Sequence, residues 1–124
     1  MSERIVIVDG ENVRRSTWPN IRQAELVERC RAWAEREHVS VEVVFDGKPP
    51  LAVASPEATV FGSAPESADA WIARRAAELR ANGARFWLVT SDRALRANAG
   101  RGAERVIGGG SFARELEKAG GVTR

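Results

Sequence analysis

The aspartates of this 124-residue chain stand at positions from which they could bind a metal ion. The chain has 17 acidic residues, but only four are aspartates, and the glutamates lie mostly in stretches with helical patterning. Asp9, Asp46 and Asp92 each follow an apolar run typical of a buried strand, and Asp69 opens a predicted helix. Short carboxylates on rigid elements suit Mg²⁺ or Mn²⁺.

The apolar pattern around these aspartates predicts alternating strands and helices. Runs of β-branched and aromatic residues indicate strands, and apolar residues at intervals of three and four indicate helices. The predicted strands cover residues 5–8, 39–45, 59–61, 86–89 and 105–107. The predicted helices cover residues 21–36, 68–81, 93–98 and 111–119, with a loop at 51–58 and a glycine turn at 108–110. We expect one α/β domain over residues 1–124, a three-layer sandwich with a mainly parallel sheet of about five strands and helices on both faces.

Such a sheet would bring all four aspartates to one edge, because parallel strands end together and the following helices begin there. Crowded carboxylates repel one another, so either arginine partners or a divalent cation must hold them. One or two Mg²⁺ or Mn²⁺ ions at such a site can bridge a phosphodiester and activate water. The spacing therefore favours a metal-dependent nuclease or phosphatase without a catalytic histidine.

A purely structural role for each aspartate stays open at this point. An aspartate after a strand often forms a turn or caps a helix. This alternative is strongest for Asp46, because Asp46-Gly47-Lys48-Pro49 is also an ordinary turn sequence.

Other polar residues near the predicted edge are candidates for the same site. Asn12 could orient a phosphate or a water molecule, or cap a turn, and Glu66 could be a fifth carboxylate or a solvated loop residue. Thr90 and Ser91 could donate to phosphate or bond the local backbone. Ser111, behind three glycines, could present a helix N-terminus to an anion or belong to a structural turn.

Arginine makes up 17 of the 19 basic residues, although the net charge is only +2. Arginine binds phosphate in a bidentate manner and stacks on bases, and Arg14, Arg15, Arg93 and Arg96 lie in or near the predicted edge loops. They are candidate RNA phosphate contacts, or simply solvated surface residues. Trp18 could stack on a base, although a tryptophan before proline more often closes a hydrophobic flap.

The remaining composition excludes several classes of protein. A single cysteine, Cys30, and a single histidine, His38, exclude an internal disulfide framework and a Cys/His zinc site. The longest apolar runs are too short to span a membrane, and no signal-peptide pattern precedes the first strand, so we expect a cytoplasmic protein. Trp33, Trp71 and Trp87 are expected in the core from their periodicity.

The order of the motifs resembles that of YacP-like proteins, which are NYN-domain ribonucleases of the PIN-like superfamily. The match extends over nearly the whole chain, and Trp18-Pro19 also fits it. The motifs are Val8-Asp9-Gly10-Glu11-Asn12, Val44-Phe45-Asp46, Glu66-Ser67-Ala68-Asp69-Ala70-Trp71-Ile72, Val89-Thr90-Ser91-Asp92 and Ser111-Phe112-Ala113-Arg114-Glu115-Leu116.

This resemblance implies a PIN-like fold and a metal-dependent endoribonuclease, which in some members acts on messenger RNA engaged by the ribosome. It implies that Asp9, Asp69 and Asp92 are metal-binding carboxylates, that Glu66 is an accessory acid and that Asn12 is a site-orienting amide.

Two positions depart from the pattern of the family. Glu11 stands where the family usually has an aromatic residue, which would add negative charge beside the pocket. The loop at residues 62–65 is short and lacks a lysine often found there, which weakens the case for a substrate contact through that loop.

From the sequence we predict an Mg²⁺- or Mn²⁺-dependent endoribonuclease. The main alternative is a non-catalytic RNA- or ribosome-binding module with the same fold. A small-molecule phosphatase also remains open. A response-regulator-like receiver is disfavoured because no lysine follows the last predicted strand.

Overall fold

The computed structural model describes residues 4–50 and 55–121. Within them the chain forms an α/β fold with a five-stranded, all-parallel sheet. The strands are β1 (Ile5–Asp9), β2 (Ser40–Phe45), β3 (Ala58–Gly62), β4 (Phe86–Val89) and β5 (Arg105–Ile107). The helices are α1 (Gly10–Arg14), α2 (Gln23–Glu37), α3 (Ala68–Ala81), α4 (Arg93–Asn98) and α5 (Gly109–Gly121).

The strand order β3-β2-β1-β4-β5 places β1 at the centre of the sheet. From β1 the chain first builds one side of the sheet, through β2 and β3, and then the other, through β4 and β5. The strand order therefore reverses between β1 and β4, and in open parallel sheets the crevice at this switch point is where ligands bind.

Each face of the sheet has its own apolar core, because alternate strand residues point to opposite faces. Val6, Val8 and Phe112 belong to one core, which also takes its buried residues from α1, α2 and α5. Ile7 and Leu88 belong to the other, with α3 and α4. The expected three-layer sandwich is confirmed.

Most predicted elements agree with the structure to within two residues. The predicted bounds of β4, β5, α3 and α4 agree fully with the structure. Ser67 caps α3 as its position suggests, since its side-chain oxygen accepts a hydrogen bond from the Ala70 amide. No helix in the described parts of the chain is long and apolar enough to cross a bilayer.

Three predictions about loops are wrong. The segment between the first predicted strand and the helix predicted from residue 21 was expected to be a loop through Trp18-Pro19, but α1 follows β1 at once. The glycine turn extends only to Gly108, because α5 already begins at Gly109 rather than Ser111. In the loop predicted at 51–58, Ala58 belongs to β3, while residues 51–54 lie outside the described residues.

The tryptophans are less uniformly buried than the periodicity predicts. Trp33 is buried and packs edge-on against Phe112, with ring centroids 4.9 Å apart. Trp71 and Trp87 are only partly buried, and arginine guanidinium groups lie over their rings. Trp18 is 90% exposed, so the expectation that it closes a hydrophobic flap is wrong.

Candidate functional site

A polar cavity of 420 Å³ lies at the carboxyl edge of the sheet. Its acidic residues come from three parts of the chain: the junction of β1 and α1, the loop after β2 and the start of α3. The full lining is Asp9, Glu11, Asn12, Arg15, Ser16, Asp46, Ala68, Asp69 and Ser91. Three of the four aspartates thus meet at one cavity, as the parallel topology predicts.

Asp9 is the most buried of the acidic residues at this cavity, with 6% of its surface exposed. Its Oδ2 accepts a hydrogen bond of 2.9 Å from the Thr90 hydroxyl, and Thr90 is fully buried. The strands explain this pairing, because Val8 of β1 is in register with Val89 of β4 and the next residues along are Asp9 and Thr90. The same Thr90 oxygen accepts a hydrogen bond from the Asp92 amide. One hydroxyl therefore links Asp9 to the backbone of Asp92.

The carboxylates at this edge affect each other's ionisation. The pKa of Asp9 is raised to about 6, chiefly by burial and to a smaller extent by the charges of Asp69 and Asp92, while hydrogen bonds from Thr90 and from the Asn12 backbone amide oppose the shift. The pKa of Asp69 is also raised, by desolvation and by the charges of Asp92 and Asp46. Asp92 does not line the cavity, but its charge acts on both neighbours. The four aspartates form one electrostatic cluster.

Two of these aspartates also cap helices. Asp92 Oδ1 accepts a hydrogen bond from the Leu95 amide at the start of α4, and Asp46 Oδ1 accepts one from the Ala68 amide at the start of α3. These amides have no partner within their own helices, so the carboxylates stabilise both helix starts. The structural role left open for the aspartates is real for these two residues, and both also keep a place in the acidic cluster.

The negative charge that Glu11 brings to the cavity is balanced by two arginines. In α1 its carboxylate forms ion pairs with Arg14 at 2.8 Å and Arg15 at 3.3 Å, and it accepts a hydrogen bond from Gln23. Arg14 also donates to the Ile21 carbonyl, which makes it part of the local framework. Arg15 lines the cavity and its side chain stays 68% exposed.

Asn12 fastens the loop after β4 to the rest of the site. Its side-chain oxygen accepts a hydrogen bond from the Ser91 amide at 2.9 Å, and the Ser91 hydroxyl oxygen accepts one from the Gly109 amide at 2.8 Å. A side chain at Gly109 would overlap the Asn12 oxygen. Asn12 thus positions the loop after β4 through the Ser91 backbone amide, while the Ser91 side chain remains at the cavity.

The other predicted site residues lie outside the cavity lining. Glu66 forms an ion pair with Arg74 of α3. Arg93 and Arg96 are exposed on α4, where Arg93 directly follows Asp92. Ser111 is exposed in the first turn of α5, and its oxygen accepts a weak bond from Arg114 at 3.4 Å.

The charge balance of the site favours a cation. Within residues 4–50 and 55–121 every ion pair found joins an arginine or lysine to a glutamate, and none involves an aspartate. Of the two ways to hold crowded aspartates, arginine pairing is thus not used in the described chain.

A preformed metal cage is not present either. No three carboxylate, imidazole or thiolate side chains in the described ranges stand close enough together to hold an ion. Asp9, Asp69 and Asp92 are thus not a ready-made group of three metal ligands in the described ranges, and their role in metal binding stays a prediction. The donor set instead suits an ion that takes one or two carboxylates and completes its shell with water and phosphate oxygens, as Mg²⁺ usually does.

Three polar cavity residues were not among those predicted to bind the metal ion or RNA: Asp46, Glu11 and Ser16. Asp46 was expected at this edge, but its turn sequence also fits a structural role, and Glu11 was expected beside the pocket only as added negative charge. Ser16 was missed, because it follows α1, which the sequence pattern did not reveal.

Comparison with known proteins identifies the family and supports the fold. The model of the YacP-like NYN domain family matches residues 6–121. A crystal structure of a mutant of Rae1 (YacP) from Bacillus subtilis has a TM-score of 0.73 and 25% sequence identity, over 94% of this chain and 76% of that chain. Another crystal structure of Rae1 (YacP) from Bacillus subtilis has the same TM-score with 23% identity, over 93% and 74% of the two chains, and supports the fold.

No curated protein matches the chain. The family match spans nearly the whole length and includes every residue of the acidic cavity. The chain belongs to the YacP-like NYN domain family, within the PIN-like nuclease superfamily.

Proposed function

We propose that this protein is an Mg²⁺- or Mn²⁺-dependent endoribonuclease that cleaves RNA at the acidic cavity. One observation carries the proposal: aspartates from four parts of the chain cluster at one sheet edge, two with raised pKa, and none has a cationic partner in the described residues. Family membership supports the nuclease class. A divalent cation, when bound, would neutralise the cluster, contact a phosphate of the substrate and activate water.

The proposed roles follow from the positions of the side chains. Asp9, fixed by Thr90, and Asp92 are the principal carboxylates for the ion. Asp69, exposed at the start of α3, completes the ligand set or aligns the attacking water. Asn12 holds the Ser91 loop in place.

RNA is the proposed substrate, and the chain offers cations for its phosphates around the acidic centre. Arg15 lines the cavity, Arg93 follows Asp92 directly, and the Ser91 hydroxyl faces the same space. Arg14 is a weaker candidate because it already bonds Glu11 and the Ile21 carbonyl. Glu66 is likewise a weaker candidate for the accessory acid, because it forms an ion pair with Arg74. A cationic rim around an acidic pocket attracts a polyanion and places one linkage over the carboxylates.

The test compares RNA cleavage by the wild type and by Asp9→Asn, with Mg²⁺ or Mn²⁺ and with EDTA. We expect cleavage by the wild type only with metal, and its loss in Asp9→Asn with the fold retained. Glu37→Gln is the matched control, because it removes the same charge from an exposed position at the far end of α2. Cleavage by Asp9→Asn at the wild-type rate would refute the proposal.

A second function is favoured by the lack of a closed three-ligand group among the described residues. The protein would then be a non-catalytic module that binds RNA or the ribosome. Binding of RNA by the wild type that EDTA leaves unchanged, without cleavage under any metal condition, would support this alternative.

A further inference from the structure

Trp18 is the only large hydrophobic residue in the described chain with an exposed side chain, and 90% of its surface is accessible. Trp18 lies on a surface loop and not at the edge of either apolar core. An indole left in water offers a broad apolar face to a planar partner, and unpaired bases of single-stranded RNA stack on such faces with little dependence on sequence.

The loop that carries Trp18 is closed at its base. The Ile21 amide donates to the Arg14 carbonyl at 3.0 Å, and the Ile21 carbonyl accepts from the Arg14 guanidinium at the same distance. The Ser16 hydroxyl donates to the Val13 carbonyl, and Ile21 is buried. Trp18 is thus presented from a loop whose two ends are already fixed. Little conformational freedom of the loop is therefore lost when a base stacks on Trp18.

Consecutive residues of this loop line two cavities. Arg15 and Ser16 line the acidic cavity, whereas Thr17 and Trp18 line a second cavity of 360 Å³. Trp18 thus lies two residues along the chain from Ser16, within reach of an RNA strand whose neighbouring linkage is held in the acidic cavity. The second cavity has the volume of a small ligand cleft.

The charges around Trp18 suit a nucleic acid. Arg15 and Arg22 flank the loop with side chains 68% and 88% exposed, and Arg114 lines the second cavity. Two acids also line that cavity, but Glu25 is paired with Arg29 at 2.5 Å and more loosely with Arg22 at 3.9 Å, which leaves Glu117 as the opposing charge. Guanidinium groups on both sides of an exposed indole match a base with phosphates on either side.

We propose that Trp18 is the stacking platform for an unpaired RNA base next to the linkage held in the acidic cavity. The proposal deepens the proposed function and depends on it. The Trp18 loop then sets which nucleotide occupies the acidic cavity, and single-stranded RNA is the preferred substrate form.

The test measures the affinity of a labelled single-stranded RNA for chains that carry Asp9→Asn, which prevents cleavage. Adding Trp18→Ala should weaken binding roughly 5- to 100-fold, the range of one base–aromatic stack, and Trp18→Phe should retain most of the affinity. Because Trp18 is exposed, its replacement should leave the unfolding temperature unchanged. Quenching of tryptophan fluorescence by RNA should be reduced in Trp18→Phe.

A set of RNAs with one abasic nucleotide each makes the test specific. One abasic position should weaken binding to the Trp18 protein and have no further effect in Trp18→Ala. If Trp18→Ala binds and cleaves RNA as the wild type does, the stacking proposal fails while the proposed function stands. If the wild type neither binds nor cleaves RNA, both fail.

Discussion

At the scale of single residues, Asp9 is where stability and function conflict. Its carboxyl group is almost fully buried, its pKa is raised to about 6, and its hydrogen bond from Thr90 offsets the burial only in part. Without a cation, the ionised form of Asp9 therefore destabilises the fold near neutral pH.

Asp9→Asn should make the metal-free protein more stable at pH 7.5. An acid with a raised pKa in the fold costs nothing well below pH 3.8, where it is protonated in both states. The cost grows from about pH 3 to pH 6, because the unfolded chain with pKa 3.8 releases its proton first, and it is nearly complete above pH 6. We expect a gain of about 2 to 3 kcal/mol in the free energy of unfolding at pH 7.5.

Urea unfolding in EDTA at pH 4 and at pH 7.5 measures this effect, with Glu37→Gln as the control for loss of a carboxylate. Most of the gain should be lost at pH 4, where Asp9 is protonated in the fold and only partly ionised in the unfolded chain. Equal stability of Asp9→Asn and the wild type at pH 7.5 would show that burial of Asp9 carries no such cost.

Thr90→Val should uncouple Asp9 from Asp92 at nearly constant volume. The hydroxyl is the donor to Asp9 and the acceptor for the Asp92 amide. Its loss removes one hydrogen bond from the buried Asp9 carboxylate and the partner of the Asp92 amide, so we expect about 1 to 3 kcal/mol lower stability and roughly tenfold slower cleavage.

Thr90→Ser keeps the hydroxyl and should retain most of the activity. Because the Thr90 bond lowers the pKa of Asp9, Thr90→Val should also move the acidic limb of the pH–rate profile to higher pH. An unchanged limb would mean that Thr90 serves only the backbone.

Residue roles could be predicted from the sequence only where the signal was local. Ser67 was identified as a cap from its position before a helix, but the bond from the Ala68 amide to Asp46 spans 22 residues and left no trace in the pattern. The pair Glu66–Arg74 was hidden for the same reason, because it joins a loop to the second turn of a helix.

At the scale of elements, α1 explains most of what the sequence did not reveal. A helix of five residues is too short to be stable alone and gives no periodic signal. Tertiary contacts hold it: Val13 is buried, and a side chain at Gly10 would come within 2.8 Å of the Phe45 ring. Only in a helix do the spacings of Glu11 to Arg14 and Arg15 predict ion pairs, so the sequence left both arginines as candidate phosphate contacts or solvated surface residues.

The start of α5 provides a matched pair of glycines for a test. Gly109→Ala should push the Asn12 side chain away from Ser91, since the added methyl group would overlap its oxygen. We expect a loss of about 1 to 3 kcal/mol, typical of overpacking, together with reduced cleavage. Gly110→Ala meets no atom closer than 3.8 Å and should stabilise the helix by up to about 1 kcal/mol.

Thermal unfolding and RNA cleavage by both variants test this prediction. If Gly109→Ala is as stable and active as Gly110→Ala, the close approach of α5 to Asn12 is not needed for the site.

At the scale of the whole molecule, the site follows from topology. The apolar runs of β1, β2 and β4 are buried on both faces, and such strands pair in parallel. That rule alone predicts that the aspartates meet at one edge, and the strand order places Asp9 at the switch point. The shape of the cavity and the absence of arginine partners for the aspartates in the described chain depend on side-chain packing, which no pattern in a single sequence encodes.

The most direct test of the account is the metal dependence of single-turnover RNA cleavage by protein stripped with EDTA. The rate should be zero without metal and should rise to saturation as Mn²⁺ or Mg²⁺ is restored. Asp69→Asn should need at least tenfold more Mn²⁺ for half its maximal rate, or lose cleavage entirely, whereas Glu37→Gln should follow the wild type. Cleavage without metal, or the same Mn²⁺ dependence in Asp69→Asn and the wild type, would contradict the account.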